Sequence, residues 1–449
     1  MTAASDALLS VEDAREAILA AVAGPVGEES IRVDHALGRV LALPVVAAVT
    51  LPPWDNSAMD GYAVLAADVA SATEDAPARL AVTGEVPAGG VADSAVSHGS
   101  AIRIATGAPL PPGADAVVPV EQTTPLDDAG GAGARGRDAA GPVPEAILVH
   151  AALSAGAHLR RRGSDLSEGD EILAPGTAMT PAAVALAAGA GVATIAVRRR
   201  VRVAVLATGN EVRPAGDDLG PAGIPDANGP GLRALVQAAG AEPIDLGIAA
   251  DELGDVIGRL RSALDQGADA IVVAGGVSVG PYDVVKLAFE AIGKIGLWRV
   301  AVQPGKPFAF GTTGRPGCGP GGTTLLFGLP GNPVSSFVTF ELFVRPAIRA
   351  LAGRRDRLRP IDRAVLLDEA RTATGRRAFL RVTAERDSDG APARDDQGRV
   401  RVRLSRGPGG QGSHVLSALA AADALAVVPE TVDTHRAGDP VELWWLDPA

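Results

Sequence analysis

Three carboxylates stand just beyond apolar, strand-like runs. They are Glu211 in Thr208-Gly209-Asn210-Glu211, Asp251 after Leu246-Gly247-Ile248, and Asp283 at the end of Gly275-Gly276-Val277-Ser278-Val279-Gly280-Pro281-Tyr282-Asp283. Taken singly, a carboxylate after a strand is more often turn chemistry or solvation than catalysis, and Asp251 is equally read as the cap of a helix that begins near Leu253. Recurrence after three successive strands changes the reading. Loops at one end of a sheet converge, and three acids gathered there can hold Mg²⁺ through oxygen ligands.

Other turns carry groups suited to anions. The glycines of 275–280 let backbone N–H groups cradle a phosphate with help from the Ser278 hydroxyl. The stretch lacks the lysine and hydroxyl order of a P-loop and the spacing of a dinucleotide fingerprint, so ordinary NTP hydrolysis is poorly supported. In Pro304-Gly305-Lys306-Pro307, two rigid residues fix Lys306 where it can meet an oxyanion; the alternative is a solvated turn lysine. In Leu329-Pro330-Gly331-Asn332-Pro333, the second proline suits a helix start whose N–H groups would face an anion, although helix initiation alone explains much of the pattern.

Upstream lie Asn56, Ser57 and Asp60, then Thr106 in Ala105-Thr106-Gly107-Ala108, then Arg160-Arg161-Arg162 followed by Asp165. An arginine run is ordinarily solvated surface; here Asp165 would order it and the surplus charge would attract phosphate. These residues join the sheet loops in one site only if a second copy of the chain supplies them.

The elements that must position these groups follow from pattern. Ser10 with Asp13 caps a helix whose apolar stripe is Val11, Ala14, Ile18 and Val22, ended by Gly24-Pro25. A second short helix is expected over 34–41 and an extended piece over 45–49. Short β-prone segments at 79–83, 100–104, 116–120 and 146–149 predict a small β domain, with 127–141 a loose hairpin tip. A helix over 181–188 opens on Pro181. From 201, strands at 201–207, 243–248 and 270–274 alternate with helices at 229–239 and 253–266. A helix after Asp283, strands at 297–302 and 325–329, and an amphipathic helix over 334–351 follow. Such alternation predicts an α/β sheet covered on both faces. Beyond Gly353, strands at 365–367, 377–382, 400–404, 425–428 and 440–446 predict a small β barrel or sandwich.

A chain of 449 residues exceeds one core, so three or four domains are expected. Hydrophobic residues make up 47% but aromatics only 3%, with Gly 55 and Pro 34, so small aliphatic side chains and tight turns must build the cores. A formal charge of -12 argues against a nucleic-acid partner. Cys318 is the single cysteine, which rules out an intrachain disulfide, and no Cys/His zinc spacing occurs. No run is apolar enough to span a bilayer and no secretory signal opens the chain; a soluble cytoplasmic protein with no membrane partner is expected.

In this order the motifs closely resemble the MoeA family, the molybdopterin molybdenumtransferases related to the E domain of gephyrin and of plant cofactor-synthesis proteins. The resemblance rests on Asp55-Asn56-Ser57-Ala58-Met59-Asp60-Gly61-Tyr62-Ala63, Ile104-Ala105-Thr106-Gly107-Ala108-Pro109 and Arg161-Arg162-Gly163-Ser164-Asp165. It extends through Thr208 to Glu211, residues 275–283, Pro304-Gly305-Lys306-Pro307-Phe308-Ala309-Phe310-Gly311 and residues 329–335. It implies a multidomain α/β fold: a discontinuous dimerisation domain (1–61 and 151–190), a small β domain (62–150), a three-layer molybdopterin-binding-like α/β domain (191–353) and a C-terminal β barrel (354–449).

The activity it implies is insertion of molybdate into adenylylated molybdopterin, with release of AMP, by a Mg²⁺-dependent homodimer. A non-catalytic molybdopterin-binding scaffold of the gephyrin E-domain type is the alternative. By resemblance, Glu211, Asp251 and Asp283 line the metal and nucleotide end, and Pro330 and Pro333 shape the substrate pocket. Ser278, Lys306, Arg160 and Arg299 contact anionic groups, and Asp60, Thr106 and Asp165 complete the cleft from the partner subunit. Transient contacts with the molybdopterin adenylyltransferase and with molybdoenzyme targets are implied too. The dithiolene sulfurs belong to the substrate, so a lack of cysteine ligands does not count against molybdenum chemistry. Departures from the family pattern are Asn210 for aspartate, Ala227 for a hydroxyl residue, Pro281 for glutamate, and Arg299 and Gln303 for lysines.

Overall fold

The computed structural model describes residues 8–136, 141–276, 284–314, 320–405, 407 and 410–446. Ser278, Pro281, Asp283 and Cys318 lie outside the described residues. The chain divides into two compact units, one of residues 44–174 and 181–194, the other of 1–43, 175–180 and 195–449.

The first helix, α1 (Val11–Ala20), belongs to the larger unit. Ser10 caps it by accepting from the Asp13 N–H at 3.0 Å, as the sequence predicts. Its buried stripe, Val11, Ala14 and Ile18, packs into the core of the α/β region. Fully burying an isoleucine side chain is worth about 1.5–3 kcal/mol, so this one face anchors the helix. The helix expected over 34–41 is only a 3₁₀ turn, Val33–His35. The N–H groups of Gly38 and Leu41 donate instead to Met179 O (2.8 Å) and Thr177 O (3.0 Å), so distant partners win over local helix bonds.

In the smaller unit six described strands form one sheet: β1 (Gly61–Val64), β2 (Ala78–Val86), β3 (Ser100–Ile104), β4 (Ala116–Pro119), β5 (Thr123–Leu126) and β6 (Ala146–Val149). Their order is β4-β1-β3-β2-β6-β5. The expected loose tip joins β5 to β6, which pair antiparallel. The extended pieces Asn56–Ser57 and Leu159–Arg160 pair with each other, as do Val45–Val46 and Glu171–Leu173, and α2 (Pro181–Gly189) completes the unit.

The larger unit is built on β7 (Arg202–Thr208), β8 (Glu242–Ala249), β9 (Ala270–Ala274), β10 (Lys294–Arg299), β11 (Val302–Gln303), β12 (Pro307–Gly314) and β13 (Thr323–Leu329). Six of these form the sheet β8-β7-β9-β13-β12-β10; its first four strands run parallel, and β12 and β10 are antiparallel additions. Alternate residues face opposite layers. Val203 and Val205 join one core with α3 (Asn228–Ala238) and the 333–351 helix, while Ala204 and Leu206 join another with α4 (Leu253–Asp265) and α5 (Val284–Ile292). This is the three-layer arrangement expected.

The 333–351 segment differs from expectation. It comprises α6 (Pro333–Thr339), a π turn at Phe340–Val344 and α7 (Arg345–Leu351), and from residue 338 to 351 it is buried all round rather than amphipathic. Pro346, which has no N–H to donate, is the second residue of α7, one position past the widened turn. Five further strands, β14 (Ile361–Leu366), β15 (Arg377–Ala384), β16 (Val400–Leu404), β17 (Ala424–Val428) and β18 (Pro440–Trp445), close into a barrel through β15–β17 pairing, and β11 adds to β15. Ala364, Ala378, Val382, Val402 and Ala426 fill the narrow interior. No described helix is long and apolar enough to cross a membrane.

Candidate functional site

The parallel register decides which loops meet. Thr208 pairs with Ala249, Ala207 with Ala274, and Ala274 with Leu329, so four carboxyl ends stand abreast. The loops that leave them line a cavity of about 790 Å³, whose walls include Glu211, Asp251, Gly275, Gly276, Val284, Asn332 and Pro333. Gly275 is required there. Its φ is +99°, and a Cβ would lie 2.7 Å from both Thr208 O and Thr208 Oγ1.

Asp251 does not cap α4, whose N-cap position is Glu252 with no side-chain cap bond. It locks two loops together instead: Asn210 N donates to Asp251 Oδ2 at 3.2 Å, and Asp251 N donates to Asn210 Oδ1 at 3.1 Å. The amide at 210, read from sequence as a lost charge, thus holds one of the acids in place. Glu211 and Asp251 are both exposed to the cavity solvent. Gly276 and Val284, which bracket the undescribed 277–283, both line the same cavity.

Three wall residues were not singled out as site residues by sequence reasoning. Asp226 Oδ1 accepts from Gly229 N at 2.9 Å at the start of α3, and Asn228 Nδ2 donates to Gly331 O at 2.8 Å, tying that helix to the 330–333 turn. The Asp226-Ala227-Asn228 spacing carried this signal. His414 comes from the barrel side, and nothing in the sequence places it here. Pro330 is buried, its carbonyl accepting the Ser336 hydroxyl. At the start of α6, the Val334 N–H donates to Ser413 O at 3.2 Å, so that group serves structure rather than an anion.

Lys306 is elsewhere in the same unit. It lines a second cavity of about 570 Å³ with Arg371, Arg376 and Arg381, against the single carboxylate Glu369 among its described lining residues. Gly305, at φ +112°, lets the turn press on α6; a Cβ would sit 2.5 Å from Thr339 Cγ2. Arg381 is 1% exposed, and its Nη2 donates to Gly410 O and Gly412 O at 3.3 and 3.2 Å. Burial lowers its pKa from the ordinary arginine value. Gln303, where a lysine was expected, accepts from Ala373 N at 2.8 Å through Oε1, a bond no lysine could make. Arg299 closes β10 opposite Pro307, beside the same turn.

In the smaller unit the upstream motifs also gather. Asp60 Oδ1 accepts from Thr106 N at 2.7 Å and from Thr106 Oγ1 at 2.9 Å. Arg160 pairs with Asn56, and Gly107 N donates to Ser57 O at 2.8 Å. The arginine run is ordered by Asp55 rather than Asp165: Asp55 accepts from Arg162 N at 2.8 Å and from Arg161 Nη1 at 2.6 Å. These bonds, the Arg162 N–H first, hold the Asp55 carboxyl below the usual carboxylate range. Asp165 is exposed and contributes its N–H to Leu51 O at 3.1 Å. Asp55 was missed because its partners lie more than a hundred residues away.

Comparison with known proteins agrees along the whole length. Residues 9–191 match the MoeA N-terminal region (domain I and II), 204–350 a probable molybdopterin binding domain, and 363–446 the MoeA C-terminal region (domain IV). The chain is 37% identical over 424 residues to molybdopterin molybdenumtransferase 2 of Mycobacterium tuberculosis, covering 93% of this chain and 95% of that one. It is 32% identical over 437 residues to the molybdopterin molybdenumtransferase of Haemophilus influenzae, covering 97% and 98%. Among solved structures, the molybdopterin biosynthesis moeA protein of Pyrococcus horikoshii OT3 superposes with a TM-score of 0.77 at 26% identity, covering 98% of this chain and 100% of that one. The chain belongs to the MoeA family.

Proposed function

We propose that this protein inserts molybdate into adenylylated molybdopterin, forming the molybdenum cofactor and releasing AMP. The observation that carries this reading is the pair of cavities in the larger unit, one walled by carboxylates at the sheet's carboxyl ends and one by cations beneath the barrel. Two anionic reactants need two kinds of reception. Lys306, Arg371, Arg376 and Arg381 suit a compact oxyanion directly, and we assign molybdate to them.

Glu211 and Asp251 would repel a pyrophosphate unless a cation stood between them. Their donor set is oxygen, which suits Mg²⁺. Among the described residues no three His, Cys, Asp or Glu side chains form a metal cage. Mg²⁺ typically takes one or two carboxylates and completes its shell with water and substrate phosphate. When bound, the ion would offset phosphate charge and polarise the phosphoanhydride. Asn210 keeps Asp251 in place for that task, and the Gly275-Gly276 turn lets the substrate approach the backbone closely.

We further assign four domains at 1–61 with 151–190, 62–150, 191–353 and 354–449. The working form is a cytoplasmic homodimer in which the Asp60–Thr106 cluster, Arg160 and Asp165 of one subunit face the acid cavity of the other. Contacts with the adenylyltransferase and with molybdoenzyme targets would be transient. Purified protein given adenylylated molybdopterin, molybdate and Mg²⁺ should release AMP in step with active cofactor. Binding without turnover would mark a scaffold and defeat the proposal.

A further inference from the structure

A third cavity in the larger unit, of about 630 Å³, has a wall dominated by guanidiniums. Arg345, Arg349, Arg354, Arg359 and Arg394 line it. Three carboxylates answer them. Glu341, itself buried, takes Arg359 in a two-pronged pair (2.9 and 3.0 Å), Asp356 is shared by Arg349 and Arg354, and Asp362 pairs with Arg394 at 2.8 Å. Among the described residues, five cations against three anions leave two positive charges.

The surplus has a definite location. Arg345 is 7% exposed, and its Nε and Nη1 are buried with no hydrogen-bond partner. Its nearest carboxylate oxygen, Glu341 Oε2, is 3.7 Å from Nε, beyond hydrogen-bond reach, and both Glu341 oxygens already serve Arg359. A buried guanidinium with unmet donors is costly, and packing alone would be better served by an apolar side chain. Burial lowers its pKa to about 10, with the shared Glu341 carboxylate pulling the other way. Trp445 supplies an indole on the same wall.

We infer that this cavity binds a phosphate dianion, free or as a phosphomonoester, at a site separate from the two cavities assigned to the reaction. Two surplus positive charges match the two negative charges of such a group, and unmet N–H donors match its acceptor oxygens.

The test is calorimetric titration of the full-length protein with inorganic phosphate and, separately, with AMP, without Mg²⁺ or molybdate. Phosphate should bind with a component that Arg345→Met weakens at least tenfold and Arg394→Gln about threefold, and that Lys306→Ala leaves intact. An AMP component that Arg345→Met weakens alike and that is tighter than phosphate identifies a nucleotide as the source; an equal one identifies the free ion, and AMP binding that the arginine variants leave unmoved belongs to the acid cavity and counts against a nucleotide here. Should Arg345→Met fail to fold, the double variant Arg354→Gln/Arg394→Gln decides. A phosphate isotherm unmoved by that pair, or one abolished by Lys306→Ala, overturns the inference, and so does an absence of binding by either probe. Because AMP release by the Lys306-containing enzyme is assayed separately, failure here leaves the proposed activity standing.

Discussion

The acid cavity and the basic cavity are built from the same sheet by opposite means. The first is walled by loops that leave parallel strands in register, so its chemistry comes from residues just past Thr208, Ala249 and Ala274. The second is walled by an antiparallel turn at 304–307 and by barrel residues of β15 and the loops around it, joined where β11 pairs with β15. One arrangement repeats a single geometric rule; the other depends on two regions meeting. The function proposed above gives them separate jobs, with the reacting phosphates on one side and the incoming oxyanion on the other.

Removing an acid should give the largest effect. Glu211→Gln or Asp251→Ala is expected to lower AMP release by about a hundredfold or more, while circular dichroism and thermal unfolding stay near those of the parent. EDTA should do the same, reversed by Mg²⁺. Equal activity in both variants would dissolve the contrast between the cavities. Next in size, Lys306→Ala should raise the molybdate concentration needed for half-maximal rate by roughly tenfold, with a smaller change in the limiting rate, because a binding contact is lost rather than a reacting group. If it instead halted the reaction at saturating molybdate, the oxyanion would have to be placed among the acids.

Gln303→Lys sharpens the comparison from the other side. It adds charge to the basic cavity but removes the acceptor of the Ala373 N–H, so molybdate affinity should rise while stability in urea falls by about 1 kcal/mol. Asn210→Asp should have the smallest effect. A carboxylate oxygen can still accept from Asp251 N, so stability should change by less than about 0.5 kcal/mol, and the added charge should lower the Mg²⁺ needed for half-activity a few-fold.

The acid cavity was largely legible because continuous apolar runs such as 270–274 announce buried parallel strands, and the residue after each strand end is then known to share an edge with its neighbours. Asp283 and Ser278 fall outside the described residues. The basic cavity was legible only at Lys306. Arg371, Arg376 and Arg381 sit among β-barrel residues whose alternating pattern reads as outward-facing charge, and only tertiary packing makes Arg381 a buried wall. Asn210 read as a loss because its gain is a bond to a residue forty-one positions on. His414 and Arg345 follow the same logic: their settings are made by regions that pattern treats as independent.

The first helix carries a practical consequence. Leu9 bridges Val300, its N–H donating to Arg299 O at 2.9 Å, Glu12 pairs with Arg377 at the barrel, and Val11, Ala14 and Ile18 sit in the core shared by sheet and barrel. A fragment cut at the borders suggested by chain order, near 195–353, would leave a greasy scar where that helix had lain and would tend to self-associate. Anyone dissecting this enzyme into pieces should carry residues 8–22 along with the distant segment they cover.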